Sequence, residues 1–411
     1  LGVLVGAALA ALAPVLVHRV LSVPGTLLGE AEVAFFLLAV SVPLVMVSTC
    51  LCGCLEAVQR FDLAAVGRAP FSALMYLLPA VAVLVGWTLP GTLLLIVISR
   101  VLALVVHVGL CAHVFPSLRG FPRFSKARFR ALLAFGGWVT ASNVTISGLV
   151  YLDRFLIGSL AGMRAVAYYA APYEIASRLL VVPGSLAGVL VPAFSGFAAA
   201  GALREIGTSF ARSIRYVLLV MTPGVFLLLV FAADILRIWL GSEFAAAGAG
   251  AFRLLALAVL MNGVGWMPAA LLEGIGRPDI TAKYHLVEFP VYAAVAYTLI
   301  AQFGIEGAAL AWCLRTAVSI PVFALVGMRT AGLTLRALFE VGMTATVAIT
   351  AGLLGAAIVV GLWPGGRGPM SAAILAAYAA VVWLSVLDQQ ERSAVRRVAG
   401  QLTWGKRMGG A

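Results

Sequence analysis

The octet LEAVQRFD at residues 55–62 recurs as LEGIGRPD at residues 272–279, an offset of 217 positions. Each octet ends one long apolar stretch and leads into the next. Arg100 and Arg315 repeat at a slightly different offset, 215, inside the apolar stretch that closes each copy. Self-similarity at a fixed offset is typical of duplicated architectures, so the sequence predicts two tandem copies of one helical bundle. The charged residues shared by the two octets indicate either helix-end capping or a gate.

The composition indicates a membrane protein. Hydrophobic residues make up 63% of the 411 positions and charged residues only 11%. Soluble domains carry roughly 45–50% apolar and about 25% charged residues. Because this chain has too few polar side chains to cover a water-facing globule, the composition excludes a soluble enzyme, a secreted disulfide scaffold and a disordered chain.

Twelve apolar stretches are long enough to cross a bilayer, since a spanning helix needs about 20 mostly apolar residues. They are residues 1–17, 32–55, 63–87, 91–114, 131–158, 164–197, 214–239, 247–272, 280–301, 305–328, 337–362 and 370–387. The sequence therefore predicts an all-α fold, a polytopic transmembrane helical bundle. Together with the repeat, it predicts two pseudo-symmetric six-helix lobes, related by an axis along the membrane normal, plus two C-terminal helices.

The second copy opens with two spans, 131–158 and 164–197, that have no counterpart in the first. We therefore expect the first lobe to lack its first two helices, with about 90 residues missing before Leu1. The expected organisation is a truncated N-terminal lobe at 1–115, a basic cytoplasmic loop at 116–130, a six-helix lobe at 131–330, two additional transmembrane helices at 337–387 and a basic cytoplasmic tail at 388–411.

The distribution of basic residues predicts the orientation. The chain has 28 Lys and Arg against 16 Asp and Glu, a formal net charge of +12. If residues 116–130 are cytoplasmic, 19 basic residues fall on that side, six on the other and three inside spans. This asymmetry follows the positive-inside rule. The charge thus indicates loops beside an anionic leaflet, and we expect no nucleic-acid partner.

Motifs for catalysis or metal binding are missing: the sequence has no nucleotide-binding loop, HExxH or GxSxG. The five cysteines lie in apolar stretches and are expected to be small core residues. The four histidines are scattered along the chain. We therefore expect no catalytic residue, no metal site and no cofactor.

Three arginines, Arg100, Arg178 and Arg315, fall inside predicted spans. A central arginine costs about 2.5–3.5 kcal/mol on an insertion scale, so its guanidinium should face water, a partner or a ligand. The alternative is a structural arginine bonded to backbone carbonyls or to a carboxylate. Glu288 also lies inside a span and could pair with Lys283 or with a neighbouring helix.

A second group of polar side chains occupies residues 153–178. Its members are Asp153, Arg154, Arg164, Tyr168, Tyr169, Tyr173, Glu174 and Arg178. Glu174 and Arg178 have the i, i+4 spacing of an intrahelical ion pair. Tyr169 and Tyr173 share that spacing and could form an aromatic wall, while Asp153 and Arg154 could simply mark the outer interface.

Our functional hypothesis places four arginines around one central cavity. They are Arg100, Arg154, Arg178 and Arg315. Guanidinium groups match phosphate oxygens bidentately, so such a cavity would suit a diphosphate headgroup.

Five stretches carry a resemblance to a known family: FSKARFRALLAFGGWVTASN at 124–143, DRFLIGSLAGMRAVAYY at 153–169, VLVPAFS at 189–195, WLGSEF at 239–244 and GIEGAALAWCLR at 304–315. Together they resemble the bacterial polysaccharide flippases of the Wzx type. These belong to the superfamily that also holds the multidrug and toxin extruders and the lipid II flippases. The order and spacing of the stretches carry the resemblance over about 120–330.

The resemblance implies a multi-pass transporter of the bacterial inner (plasma) membrane, not an enzyme. It would flip an undecaprenyl-diphosphate-linked oligosaccharide, an O-antigen or exopolysaccharide unit, from the cytoplasmic to the periplasmic leaflet by alternating access. The implied partners are this glycan, the lipid bilayer and a polysaccharide polymerase complex. The alternatives are a multidrug or cation extruder, a lipid II flippase of the same fold, and a membrane glycosyltransferase or polymerase.

The resemblance also implies roles for individual residues. The family's cationic, substrate-binding cavity falls on Arg100, Arg154, Arg178 and Arg315, with Tyr169 and Tyr173 beside it. Asp153 and Glu174 would be charge partners or ion-coupling carboxylates.

Overall fold

The structure is a computed structural model that describes residues 2–21, 23–58, 60–115, 145, 147–334, 342–389, 391–393 and 396. Almost all of these residues are helical, and no strand occurs among them. The helices are α1 (Gly2–Val15), α2 (Leu28–Ala57), α3 (Phe61–Leu84), α4 (Leu89–Val114), α5 (147–160), α6 (Met163–Ser177), α7 (Val181–Ala199), α8 (Leu203–Leu240), α9 (Ser242–Gly274), α10 (Pro278–Thr330), α11 (Met343–Gly361) and α12 (Arg367–Val381).

Within these residues, ten helices are long and apolar enough to cross a membrane. The sequence predicts twelve spans, and two differences explain why the structure has ten among the residues it describes. The predicted spans 280–301 and 305–328 are the two arms of α10, which bends at Gly304 (φ 58°, ψ −133°). Of the predicted span 131–158, the part that lies within the described residues belongs to α5. The predicted transmembrane helical bundle is confirmed.

The two octets form the same helix–turn–helix. The first connects α2 to α3 and the second connects α9 to α10, and both helix ends repeat at the offset of 217. The amide of Arg60 donates to the carbonyl of Leu55 (3.0 Å), and the amide of Arg277 donates to the carbonyl of Leu272 (2.8 Å). The local fold therefore repeats together with the sequence.

The charged residues of the octets lie at these helix ends. The guanidinium of Arg60 donates to Asp62 at 2.8 and 2.9 Å, and that of Arg277 donates to Asp279 at 3.0 and 3.4 Å. Both aspartates lie in the first turn of a helix, where the dipole favours a negative charge. The hydrogen bonds to Asp62 and Asp279 raise the pKa of Arg60 and of Arg277 above the ordinary value. The same Arg–Asp ion pair therefore stands at the start of α3 and of α10, and the N-cap residues Arg60 and Arg277 make no side-chain hydrogen bond to the helix backbone.

The chain divides into two compact units. The first consists of Leu1–Ala141 with Gly158–Met163, and the second of Ser142–Ile157 with Arg164–Ala411. In the first unit, α2 packs against α1, α3 and α4. In the second, α9 lies at the centre and packs against α7, α8 and α10, and its partners bury an extensive apolar core.

The cysteine prediction is right for three residues and wrong for two. Cys52, Cys111 and Cys313 are buried, but Cys50 and Cys54 are exposed. The reason is helical geometry: residues four apart share a face of α2, and the residue midway between them points to the other side.

Candidate functional site

A cavity of about 540 Å³ opens inside the second unit. It is lined by α5, α6, α7, α9 and both arms of α10, because each contributes the side chains of one helical stripe. Most of the wall is apolar or aromatic. The polar side chains in it are Asp153, Tyr173, Asn262, Glu273, Thr281, His285, Arg315, Thr316 and Ser319. Ligand pockets of roughly 300–1,000 Å³ with a few convergent polar groups are typical of small-molecule sites.

Asp153 connects three helices in the wall of this cavity. Asp153 is only 3% exposed, and one of its carboxylate oxygens accepts a hydrogen bond from the hydroxyl of Tyr169 at 2.8 Å. The other oxygen accepts the hydroxyl of Tyr292. Asp153 lies on α5, Tyr169 on α6 and Tyr292 on α10. The interpretation of Asp153 as an interfacial marker is therefore wrong, since interfacial carboxylates stay in water.

Arg315 lies at the cavity wall with a carboxylate beside it. Its Nε atom lies 3.4 Å from Oε1 of Glu288, and the two side chains are only 14% and 7% exposed. One terminal nitrogen donates to the carbonyl of Leu149 at 3.3 Å, and the guanidinium stands over the ring of Tyr292, 5.1 Å from its centroid. Arg315 thus combines both alternatives drawn from the sequence, a paired arginine and one that faces a cavity.

Glu288 is the hub of a polar network that crosses the two arms of α10. Its Oε1 atom accepts a hydrogen bond from the hydroxyl of Ser319, and its Oε2 atom lies 2.8 Å from Nδ1 of His285. Lys283, the alternative partner expected from the sequence, instead binds Asp279 at 3.0 Å. The carboxylate of Glu288 thus lies between His285, Ser319 and Arg315.

Arg154 belongs to a second group of ion pairs, in which Glu174 lies between two arginines. Its Nη2 atom lies 2.9 Å from Oε1 of Glu174, whose other oxygen lies 3.8 Å from Arg178. The guanidinium of Arg154 also stands over the ring of Tyr173, 4.7 Å from the centroid. The i, i+4 pair predicted from the sequence is therefore present but longer than the pair with Arg154. Arg178 itself lies in the short 3₁₀ turn between α6 and α7, with its side chain 71% exposed.

The structure brings only some of the predicted site residues to the cavity. Asp153, Tyr173 and Arg315 line it. Tyr169 is buried behind the wall, where its ring stacks on that of Tyr173 at a centroid distance of 6.3 Å. Arg100 belongs to the first unit, where its guanidinium donates to the hydroxyl of Ser41 at 3.0 Å.

Sequence reasoning did not assign several residues to the site, although it singled out Glu288 as a charge inside a span. His285 and Glu288 both take part in the network, and Ser319 and Trp266 line the cavity. A signal was available: positions 285, 288 and 292 lie on one face of a helix, as do positions 315 and 319. What the spacing did not show is that these two faces meet.

A model of the family described as "Polysaccharide biosynthesis protein" matches residues 1–249 of this chain. A Shigella flexneri protein that carries the name O-antigen transporter is 25% identical over 295 residues, which cover 72% of this chain and 69% of that protein. A Haloferax volcanii protein named as the low-salt glycan biosynthesis flippase Agl15 is 24% identical over 200 residues, 48% of this chain and 41% of that protein.

Two solved structures with similar folds come from transporters. An inward-facing multidrug resistance transporter of the MATE family, in the MOP superfamily, superimposes with a TM-score of 0.70 at 16% identity and covers 80% of this chain and 78% of its own. The lipid II flippase MurJ in its inward closed conformation superimposes with a TM-score of 0.69 at 11% identity. The match covers 92% of this chain and 81% of the MurJ chain. At these identities the likeness shows the fold alone.

Proposed function

Because this multi-pass membrane chain belongs to the polysaccharide biosynthesis protein family, we propose that it flips a lipid-linked oligosaccharide between membrane leaflets. The substrate is an undecaprenyl-diphosphate-linked O-antigen or exopolysaccharide unit, which moves from the cytoplasmic to the periplasmic leaflet by alternating access. The names of the Shigella and Haloferax relatives support this substrate class. A polysaccharide polymerase complex is its proposed partner on the periplasmic side.

One observation carries the proposal: Arg315 lies in the wall of a cavity, halfway along an apolar arm of α10. A charge at that depth is expensive unless a partner or a ligand compensates it. Glu288 compensates part of it at 3.4 Å from Nε, and among the described residues no other carboxylate forms an ion pair with Arg315. A diphosphate would supply acceptors for such a guanidinium.

Arg154 and Arg178 stay proposed substrate contacts, although neither is among the residues that line the cavity. Arg154 and Arg178 share Glu174, so a diphosphate that approaches either guanidinium competes with this carboxylate. Arg100, which binds Ser41 within the first unit, stays a proposed substrate-binding residue. The division into lobes at 1–115 and 131–330, with two trailing helices at 337–387, likewise stays a proposal.

The test is complementation of a flippase-deficient bacterium with the gene for this protein, carrying Arg315→Gln. We expect surface polysaccharide to fall at least tenfold, with lipid-linked oligosaccharide accumulating in the inner membrane. The matched control is Arg329→Gln, which changes an exposed arginine in the last turn of the same helix. Normal surface polysaccharide with Arg315→Gln, at the same protein level as the control, would contradict the proposal.

A further inference from the structure

The cavity is much longer than a diphosphate group. Its wall runs from Arg315, about 22 Å from the end of α10, to Thr281, about 5 Å from the start of that helix, at 1.5 Å per residue. Trp266 lies about 12 Å from the end of α9 by the same measure. Both Trp266 and Thr281 therefore lie in the half of the cavity toward the helix ends that the basic residues predict to be cytoplasmic.

Trp266 offers an aromatic face to this half of the cavity. Its residue is 38% exposed although it lies inside a spanning helix, and it lines the cavity. The indole packs against Gly184 of α7, where an added Cβ would lie 3.1 Å from its Cζ3 atom. A Cβ at position 184 would require the ring to shift by a few tenths of an ångström, so the glycine leaves room for the indole at this position.

Two hydrogen-bonding side chains line the cavity together with Trp266, one deeper than the indole and one nearer the helix ends. Asn262, one turn earlier on the same face of α9, also lines the cavity. Thr281 of α10 also lines the cavity, and its buried hydroxyl has no hydrogen-bond partner among the described residues. A buried hydroxyl without a partner is costly, and a ligand that supplies one would remove that cost.

This combination suits a sugar ring. A pyranose presents C–H bonds with a slight positive charge on its face, which complement the negative face of an aromatic ring. Its hydroxyl groups lie at the edge, where they can both donate and accept. An amide and a hydroxyl beside an aromatic face are therefore the groups that would bind it, whereas a purely apolar ligand would leave them without partners.

We propose that Trp266, Asn262 and Thr281 form a saccharide subsite, in which the first sugar of the substrate stacks on the indole while its diphosphate lies at Arg315. The inference rests on the proposed function, because it takes the substrate to be a sugar linked through a diphosphate to a lipid. It adds that the protein recognises the sugar itself, with the sugar on the side of the cavity toward the turn between α9 and α10.

The test measures binding to the purified full chain in nanodiscs. The probes are undecaprenyl diphosphate, which has no sugar, and undecaprenyl diphosphate that carries one N-acetylglucosamine, glucose or galactose. We expect the unchanged protein to bind at least one of the sugar-bearing lipids about tenfold more tightly than the sugar-free lipid. Trp266→Leu should abolish this preference and change the affinity for the sugar-free lipid by less than twofold. Trp266→Phe, which keeps an aromatic face, should retain most of the preference.

The outcomes separate the two proposals. If the unchanged protein binds none of the lipids, the proposed function fails and the subsite fails with it. If it binds all lipids equally, or if Trp266→Leu keeps the preference or weakens binding of both lipid types alike, the subsite is overturned while the proposed function stands. Asn262→Ala provides a second variant should Trp266→Leu fail to fold, and we expect it to lower the preference at least threefold.

Discussion

The Nε atom of Arg315 lies 3.4 Å from Oε1 of Glu288, and both residues belong to α10 on opposite sides of its bend at Gly304. The deepest positive charge of the cavity is thus held by a carboxylate on the other arm of the same helix. A ligand that binds the guanidinium acts on this pair, and through it on the contact between the two arms.

The ion pair should contribute measurably to stability. Removing one partner of a buried pair leaves an uncompensated charge, so we expect Glu288→Gln or Arg315→Gln to lower the free energy of unfolding by about 1–3 kcal/mol. The double variant should lose less than the sum of the single losses, by about 0.5–3 kcal/mol. Unfolding of the purified protein in detergent measures all four forms, and strictly additive losses would show that the pair has no coupling.

The hydrogen bond from Tyr169 to Asp153 should stabilise the second unit. Tyr169→Phe removes the hydroxyl and leaves a buried carboxylate oxygen short of a donor, which we expect to cost about 1–3 kcal/mol. Tyr297→Phe is the control, because that tyrosine is 52% exposed on α10 and its loss should change stability by about 0.5 kcal/mol or less. Thermal unfolding of the two variants side by side gives the comparison. Equal effects would mean that the hydroxyl of Tyr169 contributes nothing.

Thr281→Val should separate stability from binding. Because the hydroxyl has no partner within the part of the chain that the structure describes, replacing it by a methyl group should leave the unfolding temperature unchanged or raise it. The same change should weaken binding of the sugar-bearing lipid at least threefold and leave sugar-free undecaprenyl diphosphate unaffected. Thermal unfolding and binding are measured on one preparation. A clear loss of stability would show that the hydroxyl has a structural role.

The bend of α10 should depend on Gly304. Its φ of 58° with ψ of −133° is a conformation that residues with a side chain rarely adopt, so Gly304→Ala should destabilise the protein by about 1–3 kcal/mol. Gly355→Ala in α11 is the control of opposite sign. A Cβ at Gly355 meets no atom within 4 Å, so the higher helix propensity of alanine should stabilise by about 0.5–1 kcal/mol. Two changes of the same sign in thermal unfolding would exclude this account of the bend.

The amino-acid sequence alone determined the class of fold and the positions of the helices. Apolar length and the scarcity of charge are properties of contiguous residues, and a bilayer selects spanning helices on those properties. The octets likewise predicted a repeat whose helix ends recur at the same offset, because Arg60 and Arg277 each form the connecting turn through bonds to nearby residues. Local interactions of this kind can be seen in the sequence.

Only the tertiary structure decided which polar side chains lie together. The two hydroxyl groups that donate to Asp153 belong to residues 16 and 139 positions away in the sequence. The hydroxyl of Ser319 donates to Glu288, which is 31 positions away. Such partners depend on how each helix is rotated about its axis and where α10 bends, which local spacing does not specify. The sequence therefore indicated which residues carry charge or hydroxyl groups in the membrane, while packing around α9 set which of them face the cavity.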